Sequence, residues 1–114
     1  MRQPNYEQAL QKCGIEWDYV EAVPLERINV TRGMQMQARL QPIDHDLVDK
    51  YAEMIAEGFV PPPLLLWKHG KSLLVPLDGN QRLAANAQVT KKNRLDSFAA
   101  YVVTTDDQML VDRL

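Results

Sequence analysis

The chain has 114 residues, of which 46% are hydrophobic and 25% are charged, a composition typical of a single globular domain. Its formal net charge of −2 gives no broad basic surface and argues against a protein that grips a nucleic-acid backbone by itself. One cysteine excludes an internal disulfide, and Cys13, His45 and His69 lack the close spacing of a structural zinc site. No apolar run is long enough to predict a membrane span, so we expect a cytoplasmic protein.

Two elements are predicted at the start of the chain. Apolar side chains at helical spacing in residues 5–13 predict a short amphipathic helix that ends at Gly14. Residues 20–30 alternate less regularly between apolar and polar side chains, and Pro24 interrupts them. Because proline cannot donate to a β-ladder, this second segment predicts an edge strand or a strand with a bulge.

A polar loop is predicted next. Residues 32–41 contain amides and arginines but no carboxylate, and Pro42 separates them from the following helix. Loops held by a rigid scaffold often carry binding groups, so Gln37 and Arg39 are candidates for ligand contact.

The middle of the chain predicts a helix followed by a buried strand. Asp44 or Asp46 can cap a helix that Gly58 would end. One face of this helix is apolar and carries Leu47, Val48, Tyr51, Met54 and Ile55. Residues 64–67 form an apolar run too short for a helix, which predicts a buried strand. A hairpin loop at residues 68–71 would lead from this strand into the next one.

The last predicted elements are a strand and a helix. Phe98, Ala100 and Val102 alternate with their neighbours as the residues of a β-strand do. Thr105 followed by Gln108 resembles a capping box, which predicts the start of a C-terminal helix.

The most informative stretch is residues 73–87, where the spacing of the apolar residues changes. Leu73, Val75 and Leu77 have the period of a strand, whereas Leu83, Ala84 and Ala87 recur at helical spacing. The change falls across Asp78 and Gly79, so a strand is predicted to lead directly into a helix. Glycine at such a joint can adopt a backbone conformation that is closed to other residues.

Two interpretations of this joint are open. The first N–H groups of a helix lack intrahelical partners, so the turn after Gly79 predicts a phosphate site. Arg82 would add a planar guanidinium that can bind a phosphate through two parallel hydrogen bonds. In the alternative, Asp78 caps the helix by accepting from the N–H groups of Asn80 or Gln81, and Arg82 is merely solvated.

Three places in the chain together resemble the ParB/sulfiredoxin superfamily, over residues 23–110. Gln37-Ala38-Arg39 resembles the Q-P-R loop of partition proteins. Ala56-Glu57-Gly58 and the following Pro63-Leu64-Leu65-Leu66 resemble their E-x-G and P-I-x-V segments. Asp78-Gly79-Asn80-Gln81-Arg82-Leu83-Ala84-Ala85 resembles their G-E-R-R-x-x-A-A box.

The resemblance implies a small α/β (α+β) domain with a mixed sheet and flanking helices that binds a nucleoside triphosphate, CTP or ATP, together with magnesium. Contacts to the nucleotide are implied for Gln37, Arg39, Glu57, Gly58, Asp78, Gly79, Asn80, Gln81 and Arg82. Arg39 and Arg82 are expected to converge on one cleft, because both segments would surround one phosphate. The usual Glu-Arg pair of the box is Asn80-Gln81 here, which removes one positive charge from the phosphate cradle.

Enzymatic relatives supply the alternative function. Sulfiredoxin activity is not expected, because the glycine box contains no cysteine. Free-serine kinases of the superfamily resemble this chain in having an aspartate before the box glycine, where Asp78 would act as a base or help to hold a magnesium–nucleotide complex. Their glutamate in the loop after the first strand has no counterpart in residues 32–41. A nuclease would need carboxylates that hold a metal ion, for which Asp78 and Glu57 are the candidates.

We therefore expect residues 1–20 to form an N-terminal helical extension and residues 21–114 to form one ParB/sulfiredoxin-like domain. The expected function is that of a nucleotide-binding regulatory module related to DNA-partition or mobile-element proteins of plasmids or phages. No helix-turn-helix segment or dimerisation region follows the domain, so contact with DNA would come through a missing region or a partner. The sequence is also compatible with a homodimer. We expect no membrane partner.

Overall fold

The structure is a computed structural model that describes residues 4–32, 43–68 and 73–105 together with Val111. Three α-helices lie wholly within the described parts: α1 (Pro4–Lys12), α2 (His45–Ala56) and α3 (Asn80–Gln88), and residues 30–32 are also helical. Four strands form one sheet: β1 (Trp17–Pro24), β2 (Leu64–Trp67), β3 (Val75–Asp78) and β4 (Ser97–Val103). The predicted α+β domain with a small mixed sheet and flanking helices is confirmed.

The sheet has the strand order β1-β4-β2-β3. β4 pairs antiparallel with β1 and parallel with β2, and β2 pairs antiparallel with β3. β1 is an edge strand, and its register with β4 shifts between Val20 and Val23. Both features that Pro24 predicted, an edge position and a bulge, are therefore present.

The predicted extent of the first strand, residues 20–30, is wrong. β1 already begins at Trp17, and its pairing with β4 ends where Pro24 lies opposite Ser97. The backbone then turns into a short 3-10 helix at Leu25–Arg27. Ile28 returns to the sheet through an isolated bridge, so the apolar residues after Pro24 belong to a turn and not to a continuous strand.

The sheet is buried on both faces. One face packs against α3 through a cluster of Val23, Ile28, Leu64, Leu66, Leu74, Leu83, Phe98, Ala100 and Val102. The other face packs against α1 through Leu10, Ile15, Leu65, Trp67, Val75, Tyr101, Val103 and Val111. This arrangement explains why β2 is a continuous apolar run, since a strand buried on both faces needs no polar alternation. It also means that α1, predicted as an extension over residues 1–20, contributes a fully buried Leu10 to the core.

α2 packs against α3 through a third cluster. Asp44 caps α2 as predicted, because its carboxylate accepts from the N–H groups of Asp46 and Leu47 at 3.1 and 3.2 Å. The predicted apolar face is only partly buried. Val48 and Ile55 are in contact with α3, whereas Leu47 and Met54 are 36% and 37% exposed. α2 therefore packs along α3, and its apolar edge with Leu47 and Met54 stays partly open.

Several predictions fall outside the described residues. These are the polar loop with Gln37 and Arg39, the tip of the hairpin loop, and the C-terminal capping box beyond Thr105. Within the described ranges, no helix is long and apolar enough to cross a bilayer.

Candidate functional site

The joint between β3 and α3 is the feature on which the candidate site is built. β3 ends at Asp78, α3 begins at Asn80, and Gly79 between them has φ +103°. This left-handed conformation favours glycine, and a Cβ at residue 79 would also collide with Cδ2 of Leu64. The predicted passage from strand to helix is confirmed, and glycine is required at the joint for two separate reasons.

The first turn of α3 has no side-chain cap. Gly79 occupies the N-cap position, and its carbonyl accepts from the Leu83 N–H at 3.1 Å. The expectation that Asp78 caps this helix is wrong, because Asp78 lies one residue too early. Its Oδ1 accepts from the N–H of the adjacent Gly79 at 2.8 Å, and its Oδ2 accepts from the Tyr6 hydroxyl at 2.6 Å. The N–H groups at the start of α3 are thus left for another acceptor.

A cleft of about 220 Å³ lies at this end of α3. Its lining consists of Leu47, Tyr51, Asp78, Gly79, Asn80, Gln81 and Arg82. α2 therefore supplies one wall and the joint supplies the other, so the helix N-terminus meets a concave surface. The volume is below the roughly 300–1,000 Å³ of pockets that enclose a drug-sized ligand. The cleft is large enough for a phosphate and the groups next to it.

The Arg82 side chain is buried and donates most of its hydrogen bonds to the protein itself, which a phosphate-binding arginine does not need to do. Its side chain is only 8% exposed. Nη1 donates to the carbonyls of Pro62 and Pro63 at 2.8 and 2.6 Å, and Nη2 donates to the Tyr6 hydroxyl at 2.9 Å. A Cβ at residue 79 would lie 3.3 Å from Nη2, so the guanidinium charge is close to the joint. Arg82 contributes positive charge to the cleft while it connects α1, the proline segment and α3.

Tyr6 was missed as a site residue by reasoning from the sequence, which placed it on an apolar stripe. Its hydroxyl accepts from Arg82 and donates to Asp78, so it joins the two charged residues of the joint. Burial is the main cause that raises the pKa of Tyr6 to about 12, and the Asp78 carboxylate adds to the rise while the Arg82 charge opposes it. The feature of the sequence that could have indicated this role is the tyrosine hydroxyl on an apolar stripe, since a half-buried tyrosine usually has a polar partner.

Two amide side chains at the start of α3 have unpaired oxygens. Asn80 is only 3% exposed. Within the part of the chain that the structure describes, Oδ1 of Asn80 and Oε1 of Gln81 are buried and have no hydrogen-bond partner. Asn86, two turns later in the same helix, shows the usual outcome: its Nδ2 donates to the Leu95 carbonyl at 3.0 Å and its Oδ1 accepts from the Leu95 N–H at 2.8 Å. A buried polar atom without a partner costs about 1–3 kcal/mol. Among the described residues, the unsatisfied buried side-chain atoms thus belong to two residues that line the cleft.

The remaining candidates lie elsewhere. Glu57 is the C-cap of α2 and Gly58 follows it with φ +93°, and both are exposed residues that do not line the cleft. Gln37 and Arg39 lie outside the described residues, so the expected convergence of Arg39 with Arg82 stays a prediction. Within the described part of the chain, no group of three or more His, Cys, Asp or Glu side chains is placed to hold a metal ion.

Comparisons with protein-family models, with curated proteins and with solved structures found no match for the chain. The resemblance to the ParB/sulfiredoxin superfamily therefore stays a prediction from the motifs. The geometry of the joint is independent of that resemblance. Its main-chain N–H groups can bind an anion.

Proposed function

We propose that this chain is a nucleotide-binding module that holds a phosphate group at the N-terminus of α3. The observation that carries the proposal is the glycine-led helix start, which has no side-chain cap and lines a cleft. An uncapped helix N-terminus presents N–H groups and the positive end of the helix dipole, both of which favour a phosphate. The ligand class, CTP or ATP, comes from the resemblance of residues 78–85 to the glycine box of partition proteins.

The charges around the cleft set the conditions for binding. Arg82 favours a phosphate, although three of its hydrogen bonds go to the protein. Asp78 is exposed and opposes a bare anion. A magnesium ion that arrives with the nucleotide would offset this carboxylate, so we expect binding to be stronger with magnesium than without it.

The same proposal includes a cellular role. We propose a regulatory module of the DNA-partition or mobile-element type that works in the cytoplasm and contacts DNA through a partner or a further region, as a monomer or a homodimer. The net charge of −2 supports a role in which another surface supplies the contact with DNA.

A titration of the purified chain by calorimetry tests the proposal. CTP, ATP, GTP and ADP are each added with and without magnesium, and inorganic phosphate serves as the minimal ligand. We expect binding of at least one nucleotide that weakens as the salt concentration rises, because the contact is largely electrostatic. Absence of binding for every nucleotide under both conditions would refute the proposal.

A pair of charge variants locates the binding at the joint. Gln81→Glu places a carboxylate in the first turn of α3, where it favours the helix dipole but repels a phosphate. We expect affinity to fall about tenfold or more while the melting temperature is kept. Gln88→Glu makes the same change at the exposed C-terminal end of α3 and should leave affinity unchanged. Equal effects of the two variants would place the ligand elsewhere.

A further inference from the structure

A second cavity lies at the opposite end of β3 from the joint. β3 ends at Asp78, whereas Leu74, just before β3, lines this cavity together with Val20 of β1 and Val102 of β4. We call it the β1 groove. Its volume is about 270 Å³, and it shares no lining residue with the cleft at α3. The β1 groove is therefore a separate site that does not depend on the proposed phosphate site.

The β1 groove forms because the chain crosses one face of the sheet after β1. β1 and β3 are at opposite edges of the sheet. The backbone that leaves β1 soon reaches Leu74, whose N–H donates to the Arg27 carbonyl and whose carbonyl accepts from the Asn29 N–H, both at 2.8 Å. Ile28 between them belongs to the apolar cluster on the α3 side of the sheet. Residues 25–28 thus cross that side and close the groove along one wall.

The floor of the β1 groove is apolar. Val20 lies opposite Ala100 of β4, which belongs to the cluster on the α3 side. Directly opposite residues of paired strands have their side chains on the same face, so Val20 is on this side as well. Leu74 and Val102 are almost buried, but Val20 is 37% exposed. An apolar ligand body in the groove would remove the Val20 side chain from water, which favours binding.

Two cationic side chains line the β1 groove, although the chain as a whole has a net charge of −2. Arg27 is part of the crossing segment, and Lys68 directly follows β2. Within residues 4–32, 43–68 and 73–105, neither side chain has an ion pair or a hydrogen bond. Asp18 is the one carboxylate of the lining, so the charged groups leave a net charge of +1. A ligand with one negative charge matches this total, whereas Asp18 would oppose a dianion such as a phosphate.

We propose that the β1 groove binds a small monocarboxylate with an apolar body. The carboxylate accepts from Arg27 and Lys68, and a guanidinium fits a carboxylate through two parallel hydrogen bonds. The apolar body lies on Val20, Leu74 and Val102. The volume has room for roughly nine water molecules or a ligand of about ten non-hydrogen atoms, which is too little for a peptide of several residues. An apolar cavity with a few charged groups that orient the ligand is the usual form of a small-molecule site.

The test titrates the full 15N-labelled chain with three probes and follows the amide NMR signals of Val20, Leu74 and Val102. 3-Phenylpropionate combines the carboxylate with an apolar body of the right size. 3-Phenylpropanamide has the same shape without the charge, and propionate has the charge without the ring. We expect 3-phenylpropionate to bind about fivefold or more tightly than either control. The charge effect is modest because Arg27 and Lys68 are exposed to water.

Variants assign the two halves of the ligand to the two parts of the groove. Arg27→Gln and Lys68→Gln should each lower the affinity for 3-phenylpropionate about threefold, and the double variant should bring it to the affinity of the amide. The melting temperature should not change, because these side chains are exposed. Val20→Thr keeps the shape of the side chain but adds a hydroxyl group, so it should weaken both phenyl probes and not propionate. Lys91→Gln removes an exposed charge outside the groove and should leave every affinity unchanged.

Each contrary outcome is distinct. Equal affinity for 3-phenylpropionate and its amide would refute the role of the two cations and with it the proposal. An equal loss in Lys91→Gln would show a general effect of net charge and would have the same consequence. Shifts confined to residues 79–82 would place the carboxylate at the joint, and no shift at all would leave the groove without a ligand of this class. Inorganic phosphate, added separately, reports on the joint alone, so either proposal can fail while the other stands.

Discussion

The Tyr6 hydroxyl is the single atom that connects the N-terminal helix with both charged residues of the candidate site. It donates to Asp78 and accepts from Arg82, at 2.6 and 2.9 Å. The ring also packs edge-on against Tyr101, with 5.8 Å between the ring centroids. The hydroxyl is thus held in one position by polar and apolar contacts together, and its ionisation would disturb the joint directly.

Stability should fall at alkaline pH because of this residue. The pKa of Tyr6 is about 12 in the folded chain against an ordinary value of 10.0, mainly because of burial. Between these values the unfolded chain loses the phenolic proton while the folded chain keeps it. The contribution of Tyr6 to the free energy of unfolding is therefore fully present below pH 10 and is lost as the pH rises towards 12. Urea unfolding at a series of pH values should show this decline in the parent chain and a weaker one in Tyr6→Phe. Identical slopes in the two proteins would contradict the assignment.

Asp78 distinguishes a binding module from an enzyme. Asp78→Asn keeps an oxygen that can accept from the Gly79 N–H, so we expect a loss of stability of only about 1 kcal/mol. Asp78→Ala removes the acceptor for both Gly79 and Tyr6, and it should cost about 1–3 kcal/mol, towards the lower end because the carboxylate is exposed. Chemical denaturation measures both values.

Turnover provides the second readout for the same variant. If the chain were a phosphotransferase or a nuclease that used this carboxylate, Asp78→Asn would lower magnesium-dependent turnover by about 10²-fold or more. If the chain is a binding module, we expect no magnesium-dependent turnover in the parent chain or in Asp78→Asn. Activity that disappears in Asp78→Asn at an unchanged melting temperature would establish the enzymatic alternative.

At the scale of elements, the joint between β3 and α3 can be tested with two glycines. Gly79 and Gly58 both have positive φ, +103° and +93°, so an alanine at either position should cost about 1–2 kcal/mol in backbone strain. The added methyl group meets nothing within 4 Å at residue 58, but at residue 79 it collides with the fully buried Leu64. Gly79→Ala should therefore lose about 1–3 kcal/mol more, because the fully buried Leu64 side chain would have to shift within a packed core. Equal losses of unfolding free energy in the two variants would show that the contact with Leu64 is unimportant.

Much of this element-level architecture could be predicted from local patterns. The strand-to-helix passage followed from the change of apolar spacing at Asp78 and Gly79, and the edge position and bulge of β1 followed from Pro24. Each of these features depends on the conformational limits of one or two residues, which a sequence displays directly. Boundaries were less accurate, because the turn after Pro24 contains apolar residues that mimic a strand.

The polar contacts of the site could not be predicted in the same way. Arg82 was expected to face a phosphate or solvent, but its donors reach Tyr6 and the carbonyls of Pro62 and Pro63. These partners are 76, 20 and 19 residues away in the chain. Hydrogen bonds of such sequence separation depend on the tertiary arrangement and leave no periodic trace. The unpaired oxygen of Asn80 is also invisible in the sequence, because Asn86 in the same helix is fully paired.

For the whole molecule, the main question is whether α1 unfolds with the sheet. Leu10 of α1 is fully buried in the cluster that contains Trp67, Tyr101 and Val103. Leu10→Ala should therefore destabilise the entire domain, by about 2–5 kcal/mol. Unfolding followed by tryptophan fluorescence and by circular dichroism should shift together to lower denaturant concentration. A separate early transition that leaves the main one in place would instead support an independent extension over residues 1–20.

The position of β4 in the sheet has a consequence for synthesis of the protein on the ribosome. β2 and β3 are close in sequence and can pair as soon as both have emerged, whereas among the described strands β1 pairs only with β4. At about 5–20 residues per second, β1 has to wait on the order of ten seconds until β4 has been translated. During that interval β1 has no strand to pair with, and the cluster around Leu10 of α1 lacks Tyr101 and Val103 of β4. A nascent chain of this topology is thus most vulnerable to misassembly and to proteases before residues 97–103 leave the exit tunnel, and chaperone capture in that interval would favour its folding.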